Sequence, residues 1–112
     1  MTTIKSYTDI EQSKKLIESG IDKTTSDMHY DKDSLENYYS PIPLIGKYSE
    51  IHDQFPCWGL AALLNVLPSA TLDSSNDHHF RIHCIKRYTE WYDNAVDACV
   101  EMIIRLNESK LL

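Results

Sequence analysis

The chain has 112 residues, of which 42% are hydrophobic and 25% charged, and this size and composition predict one globular domain over residues 1–112. The formal net charge of −6 argues against nucleic acid and anionic membranes as partners, because both are bound through clustered lysine and arginine. No apolar run approaches the ~20 residues that span a bilayer, and the first residues lack the apolar segment of a secretory signal. We therefore expect a cytoplasmic protein.

The first predicted element is a helix over residues 9–19. Thr8 suits the N-cap, and Glu11 three residues later completes the pattern of a capping box. Gly20 supplies the left-handed stop. The apolar residues recur at helical spacing, which predicts one buried stripe: Ile10, Leu16, Ile17 and Ile21. A further short helical turn is predicted to run through Met28.

Residues 30–54 show no steady period of 2 or 3.6, so we predict a long loop there. Prolines would confine a short strand at residues 42–45 to a sheet edge. The segment is rich in tyrosine, whose large, stiff side chain with a polar tip is enriched at recognition interfaces. Tyr38, Tyr39 and Tyr48 are therefore the candidate binding residues for another protein or for a second copy of the chain. The alternative is that these rings only seal the sheet.

Pro56 and Pro68 bracket an apolar run that we interpret as a short helix, because proline suits a first helical turn and prevents continuation later. The run is apolar on nearly every side, which is typical of a buried central helix.

Residues 78–87 alternate in polarity, which predicts a strand with one buried and one solvated face in an antiparallel sheet. Phe80, Ile82 and Cys84 should face the core. His79, Arg81, His83 and Ile85 should face the other way. Residues 70–72 and 88–92 are the candidate neighbouring strands.

The C-terminal helix has the strongest signal in the chain. Asn94 suits its N-cap, and Asp97 places a negative charge near its positive end. Apolar residues cover most of its surface and leave one narrow polar line, which predicts a core helix packed on the sheet. That line is formed by Asp97, Glu101, Arg105 and Glu108. The fold class is therefore α+β: helix, long loop, short buried helix, two- or three-stranded antiparallel sheet and C-terminal helix.

One cysteine raises the question of catalysis. Cys57 is predicted to lie at the start of a helix, where the helix dipole lowers the pKa of a thiol. The Cys57-Trp58 pair, followed by histidines on a downstream strand, resembles papain-like and cell-wall peptidase-like cysteine hydrolases. The resemblance implies Cys57 as nucleophile and His79 or His83 as base.

The same resemblance implies that Asp77, Asp93 or Asn94 would orient the imidazole. The chain departs from the papain pattern, because Pro56 removes a backbone donor and Gln54 lies only three positions before the thiol. The alternative is a reduced thiol that fills the core of a cytosolic protein, as we also expect for Cys84 and Cys99.

The histidine spacing does not favour a metal site. His79 and His83 lie four positions apart on one strand, roughly 13 Å, whereas zinc ligands on a strand are typically two apart. We interpret these side chains as solvated, and we predict no metal and no cofactor.

Four motifs extend over nearly the full length: Gln12-Ser13-Lys14-Lys15-Leu16, Asp27-Met28-x-Tyr30, Pro56-x-Trp58-x-Leu60-x-Ala62-Leu63-Leu64 and Asp97-Ala98-Cys99-x-Glu101-Met102-Ile103. They resemble a family of small proteins of unknown function from Bacteroides-type gut bacteria and their phages and prophages. The resemblance implies a cytoplasmic protein associated with mobile elements. The leading hypothesis is a non-enzymatic accessory or interaction domain that binds a partner or itself, and the alternative is the minimal cysteine hydrolase.

Overall fold

The computed structural model describes residues 5–31, 42–49 and 54–112. In these ranges the chain forms three α-helices and two three-stranded antiparallel sheets, an α+β fold as predicted. The helices are α1 (Ile10–Glu18), α2 (Leu60–Val66) and α3 (Ala95–Glu108), and a short 3-10 turn covers Lys23–Thr25. The strands are β1 (Met28–Asp31), β2 (Leu44–Ile45), β3 (Gln54–Cys57), β4 (Thr71–Ser74), β5 (Phe80–Cys84) and β6 (Arg87–Tyr88).

Helix α1 is confirmed, but its predicted cap is wrong by one position. Asp9 is the N-cap, and it forms the capping box with Gln12 rather than with Glu11. Thr8 is unavailable for capping because its fully buried hydroxyl accepts a hydrogen bond from the Trp58 backbone amide at 3.0 Å. Gly20 follows the helix with a φ of 92°, the left-handed conformation expected of the stop.

The first sheet has the strand order β2-β1-β3, with both pairs antiparallel. The helical turn predicted through Met28 is wrong, since Met28 begins β1 and pairs with Cys57 of β3 and Ile45 of β2. The short edge strand predicted at residues 42–45 is confirmed as β2. The predicted 30–54 loop therefore contains β2, the end of β1 and the start of β3.

The helix predicted to start at Pro56 begins later, at Leu60. Pro56 and Cys57 instead end β3, which lies at a sheet edge where a missing N–H is tolerated. The N-terminal segment covers this end of β3: the Thr8 amide donates to the Trp58 carbonyl at 2.9 Å, and Tyr7 bridges Gly59. Helix α2 is also less covered than predicted, because Ala61 and Asn65 are exposed.

The second sheet has the strand order β4-β5-β6 and confirms the predicted alternation over residues 81–84, whereas Phe80 is only half-buried and Ile85 lies in the turn after β5. Ile82 and Cys84 are buried, whereas Arg81 and His83 alternate with them and point to the opposite face. The predicted third strand is short. It consists of β6 and a separate bridge at Tyr92, where Phe80 and Tyr92 exchange two backbone hydrogen bonds of 2.7 Å.

Helix α3 is the centre of the core and matches its prediction closely. The Asn94 side chain accepts from the Asp97 amide at its start, and Glu101 pairs with Arg105 along its polar line. Eight of its residues are buried: Ala95, Val96, Ala98, Cys99, Val100, Met102, Ile103 and Leu106. All of them except Ala95 pack with Leu16, Trp58, Leu63 and Ile82 in one hydrophobic cluster. This packing buries Ile82 and Cys84 on the inner face of the β4-β5-β6 sheet, whereas Tyr88 of β6 is exposed.

Candidate functional site

Cys57, the candidate nucleophile, is fully buried at the end of β3. Its thiol donates to the Thr8 carbonyl at 3.4 Å and lies 3.7 Å from the Thr8 hydroxyl. Burial raises the pKa of the thiol, and the hydrogen bonds from Thr8 and Tyr30 oppose this only in part. The prediction that Cys57 lies at a helix start is wrong. Cys57 ends strand β3, and the N-terminal segment packs over this end of the strand. This environment favours a neutral, inaccessible thiol.

Neither candidate base belongs to the sheet of Cys57: His83 lies on β5, and His79 directly precedes that strand. The imidazole of His79 is 3.3 Å from the carboxylate of Asp93. His83 stacks against Tyr88, with the two ring centroids 4.2 Å apart and the planes nearly parallel. In the part of the chain that the structure describes, neither histidine hydrogen bonds to Cys57. Asp93 therefore lies beside His79, and among the described residues neither histidine is paired with the thiol.

Of the three candidate binding tyrosines, Tyr48 belongs to the described residues. Tyr48 follows β2 and is half-buried. Tyr38 and Tyr39 lie outside the described residues. The interaction surface that includes these three tyrosines therefore stays a prediction.

Within residues 5–31, 42–49 and 54–112, no group of three His, Cys, Asp or Glu side chains lies close enough to hold a metal ion. Among those same residues, no helix combines the length and the apolar character needed to cross a bilayer.

An ion-pair cluster fastens the N-terminal segment and α1 to the start of α3. The Lys5 amine lies 2.9 Å from Asp97 and 3.1 Å from Asp9, and the Gln12 amide donates to Asp97 at 2.6 Å. Partial burial alone would raise the pKa of Asp97, but hydrogen bonds from Lys5, Asn94 and Gln12 outweigh it and lower the pKa. Each of these charged groups already has a partner within the fold, so we interpret the cluster as structural.

The most distinctive polar arrangement lies on the outer face of the second sheet. The Arg81 guanidinium carbon is 4.5 Å from the centroid of the Tyr88 ring and 4.6 Å from that of Trp91. The Nε of Arg81 donates to Asp73, its cross-strand neighbour, at 3.1 Å. His83 extends the arrangement through its stack on Tyr88. We call Arg81, His83, Tyr88 and Trp91 the aromatic–arginine patch.

The patch is accessible to a partner. Tyr88 is 51% exposed and Trp91 is 44% exposed, although both are large aromatic residues. Its geometry follows from the sheet: Arg81 and His83 share a strand face, and His83 pairs directly with Tyr88 across β5 and β6. The alternation of polar and apolar residues predicts that Arg81 and His83 share this face. It does not predict the positions of the two rings, because these depend on the β5–β6 turn.

That turn is unusual in its sequence. Ile85 and Lys86 connect Cys84 to Arg87 with φ values of 49° and 58°. Two successive residues with positive φ fit a tight hairpin of type I′, which normally carries Asn-Gly, Asp-Gly or Gly-Gly. A β-branched residue in this conformation is strained. Ile85 is also 43% exposed, so its side chain gains little from burial.

Comparison with protein-family models, curated proteins and solved structures finds no match to this chain. The fold and the site therefore define a class in structural terms only: an α+β protein with an exposed aromatic–arginine patch on one of two small sheets.

Proposed function

We propose that the protein is a non-enzymatic interaction domain that binds a partner protein through the aromatic–arginine patch. The observation that carries the proposal is the Arg81 guanidinium held between the half-exposed rings of Tyr88 and Trp91. Tryptophan, tyrosine and arginine are the residue types that contribute most binding energy at protein interfaces.

The patch is also organised before any partner arrives. Arg81 is fixed by Asp73 and by two ring contacts, and Tyr88 is fixed by its stack on His83. Side chains that are already ordered lose less conformational entropy on binding. The arrangement therefore supports binding at this face rather than an incidental cluster of surface residues.

The hairpin tip beside the patch points the same way. Ile85 adopts a backbone conformation that disfavours its side chain, and that side chain remains largely in solvent. Folding stability alone favours asparagine or glycine at this position. Backbone strain of this kind is often found where a residue serves binding, so we include Ile85 at the margin of the proposed surface.

The non-enzymatic part of the proposal is supported by the burial of Cys57 and its separation from His79 and His83. All three cysteines are unpaired and buried, which agrees with a reducing, cytoplasmic location. Association with phages or other mobile elements rests on the sequence resemblance alone and is proposed on that basis. A second copy of the chain is the alternative partner.

The test uses peptides selected from a phage-displayed library of random dodecapeptides on the immobilised full chain. The dissociation constant of each selected peptide is then measured by fluorescence anisotropy for the wild type, Trp91→Ala and Tyr88→Ala. Loss of a central aromatic residue should weaken binding by about tenfold or more.

Leu111→Ala is the matched control, because Leu111 has a similar exposed fraction of 41% and lies outside the patch. It should change binding by less than about twofold. Circular dichroism confirms that each variant is folded. Selection of no binder, or of binders that ignore both aromatic substitutions, would overturn the proposal.

A further inference from the structure

We infer that the partner of the aromatic–arginine patch is an acidic segment of another protein, bound through a carboxylate that pairs with Arg81 and through apolar groups that cover the two rings. This inference rests on the proposed function, because it specifies the chemistry of the partner at the same site.

The guanidinium of Arg81 keeps N–H donors that no described residue uses. A guanidinium carries ~5 N–H donors, and Arg81 uses its Nε for Asp73. Its two terminal nitrogens make no hydrogen bond to any other residue that the structure describes. Those nitrogens form a planar fork that matches the two oxygens of a carboxylate. The flanking rings hold the guanidinium in place, so the fork is ready for an incoming anion.

The charges on this face favour a carboxylate over a basic group. Among the residues that the structure describes, Asp73 binds Arg81, and the exposed Asp93 lies 3.3 Å from His79. An incoming carboxylate would therefore bind the two terminal nitrogens of Arg81 without displacing Asp73 from Nε. A basic segment would instead meet the positive charge of Arg81, and like charges in close contact are unfavourable.

The overall charge of the chain limits how many negative charges the partner can carry. The chain carries a formal charge of −6, so a polyanion such as a nucleic acid would be repelled at long range. A segment with one or two carboxylates beside apolar side chains avoids most of this repulsion, because salt screens distant charges beyond ~10 Å. The exposed parts of Tyr88 and Trp91 provide the apolar contact area for such a segment.

A second copy of the chain fits the patch less well. Symmetric dimers use the same surface on both subunits. A two-fold contact centred on this patch would bring the two Arg81 guanidinium groups together, and each Asp73 carboxylate is already engaged by its own Arg81. The observations therefore favour a separate partner over self-association.

The experiment uses the peptides selected on the full chain. We expect aspartate or glutamate beside apolar residues in the recovered sequences. Synthetic copies in which each acid is replaced by its amide should bind roughly tenfold more weakly, as expected when a charge-assisted pair is lost. Arg81→Gln should weaken the acidic peptide to a similar extent. Arg81→Lys keeps the charge but loses the fork, so it should also weaken binding.

Arg87→Gln is the matched control, since Arg87 lies on the same hairpin but contacts Ser109 instead of the rings. It should leave the affinity nearly unchanged. Peptides that depend on Trp91 but bind Arg81→Gln as well as wild type would overturn the carboxylate inference while the interaction proposal stands. Peptides that ignore Trp91 and Tyr88 would overturn both.

Sedimentation velocity without peptide adds a further outcome. The inference predicts one species whose mass does not change with protein concentration. A dimer that forms in the wild type and is lost in Trp91→Ala would make the occupant a second copy, which contradicts the inference but keeps the patch as a binding surface.

Discussion

Replacing Thr8 by valine tests the interaction that fixes the N-terminal segment over β3. Thr8 is fully buried, and its hydroxyl accepts the Trp58 backbone N–H at 3.0 Å and shares a hydrogen bond of 2.8 Å with Ser13. Valine keeps the shape of the side chain but removes the hydroxyl, so the Trp58 N–H would be left buried without its acceptor.

The magnitude follows from those contacts. A buried donor without a partner costs about 1–3 kcal/mol. The Ser13 hydroxyl loses a second hydrogen bond, although a helical serine can turn to its own backbone. We therefore expect Thr8→Val to lower the free energy of unfolding by about 2–4 kcal/mol, a large part of the roughly 5–15 kcal/mol typical of a domain.

The assay is urea denaturation followed by circular dichroism. At an m-value of about 2 kcal/mol/M, the middle of the usual range, the midpoint should fall by about 1–2 M with little change in slope. Thr8→Ser keeps the hydroxyl and should be milder, costing about 1 kcal/mol for the lost methyl group. Thr71→Val is the exposed control on β4 and should stay within about 0.5 kcal/mol of wild type. A Thr8→Val variant as stable as this control, or more stable than Thr8→Ser, would refute the reasoning.

Three further predictions concern the reactivity of the thiols, the loss of stability at low pH and the strained turn between β5 and β6. Burial raises the pKa of Cys57 and raises that of Cys99 to about 12. Iodoacetamide at neutral pH should therefore label the protein only as fast as it unfolds. Rapid labelling of Cys57 in the folded protein would instead favour the hydrolase hypothesis. The pKa of Asp97 lies below its ordinary value of 3.8, so its stabilising effect is complete above that pH and is lost as the pH falls through the lowered pKa. The urea midpoint of the wild type should therefore drop on acidification below about pH 4, and that of Asp97→Asn should drop less; equal slopes would contradict the role of the Lys5 ion pair. Ile85→Asn should raise the melting temperature by relieving roughly 1 kcal/mol of strain, and a melting temperature that is unchanged or lower would show that the turn is unstrained.

The C-terminal helix and strand β5 could be predicted because their signals are local. Asn94 caps α3 within one turn, and the apolar residues of the helix repeat on one arc. The alternation that places Ile82 and Cys84 inward is a property of consecutive residues. Each pattern arises because one face is buried, and the order of apolar and polar residues within the segment itself indicates that face.

Strands β1 and β3 could not be predicted because their stability comes from residues far apart in sequence. Met28 pairs with Cys57 and with Ile45, and no short segment contains that information. Pro56 was ambiguous, since proline is tolerated at both a helix start and an edge strand. The cap of α1 was misplaced for a related reason: Thr8 and Asp9 both suit an N-cap, and the distant Trp58 amide decides between them.

The candidate site shows the same division. The sheet face of Arg81 and His83 could be predicted from alternation, but the positions of Tyr88 and Trp91 depend on a two-residue turn with an atypical sequence. The turn sets the register that brings Tyr88 opposite His83. By contrast, the Cys57-Trp58 pair drew attention through a local resemblance, and the fold places that thiol in the core.

The most direct test of the aromatic–arginine patch is the tryptophan fluorescence of the chain with a saturating selected peptide. Trp58 is fully buried and Trp91 is half-exposed, so a partner that covers the patch should shift the emission of Trp91 to shorter wavelength. Trp91→Phe keeps a ring in the patch and leaves Trp58 as the one tryptophan of the two in the sequence. The patch account predicts a shift in the wild type and none in Trp91→Phe. A bound peptide that leaves the wild-type spectrum unchanged would contradict it.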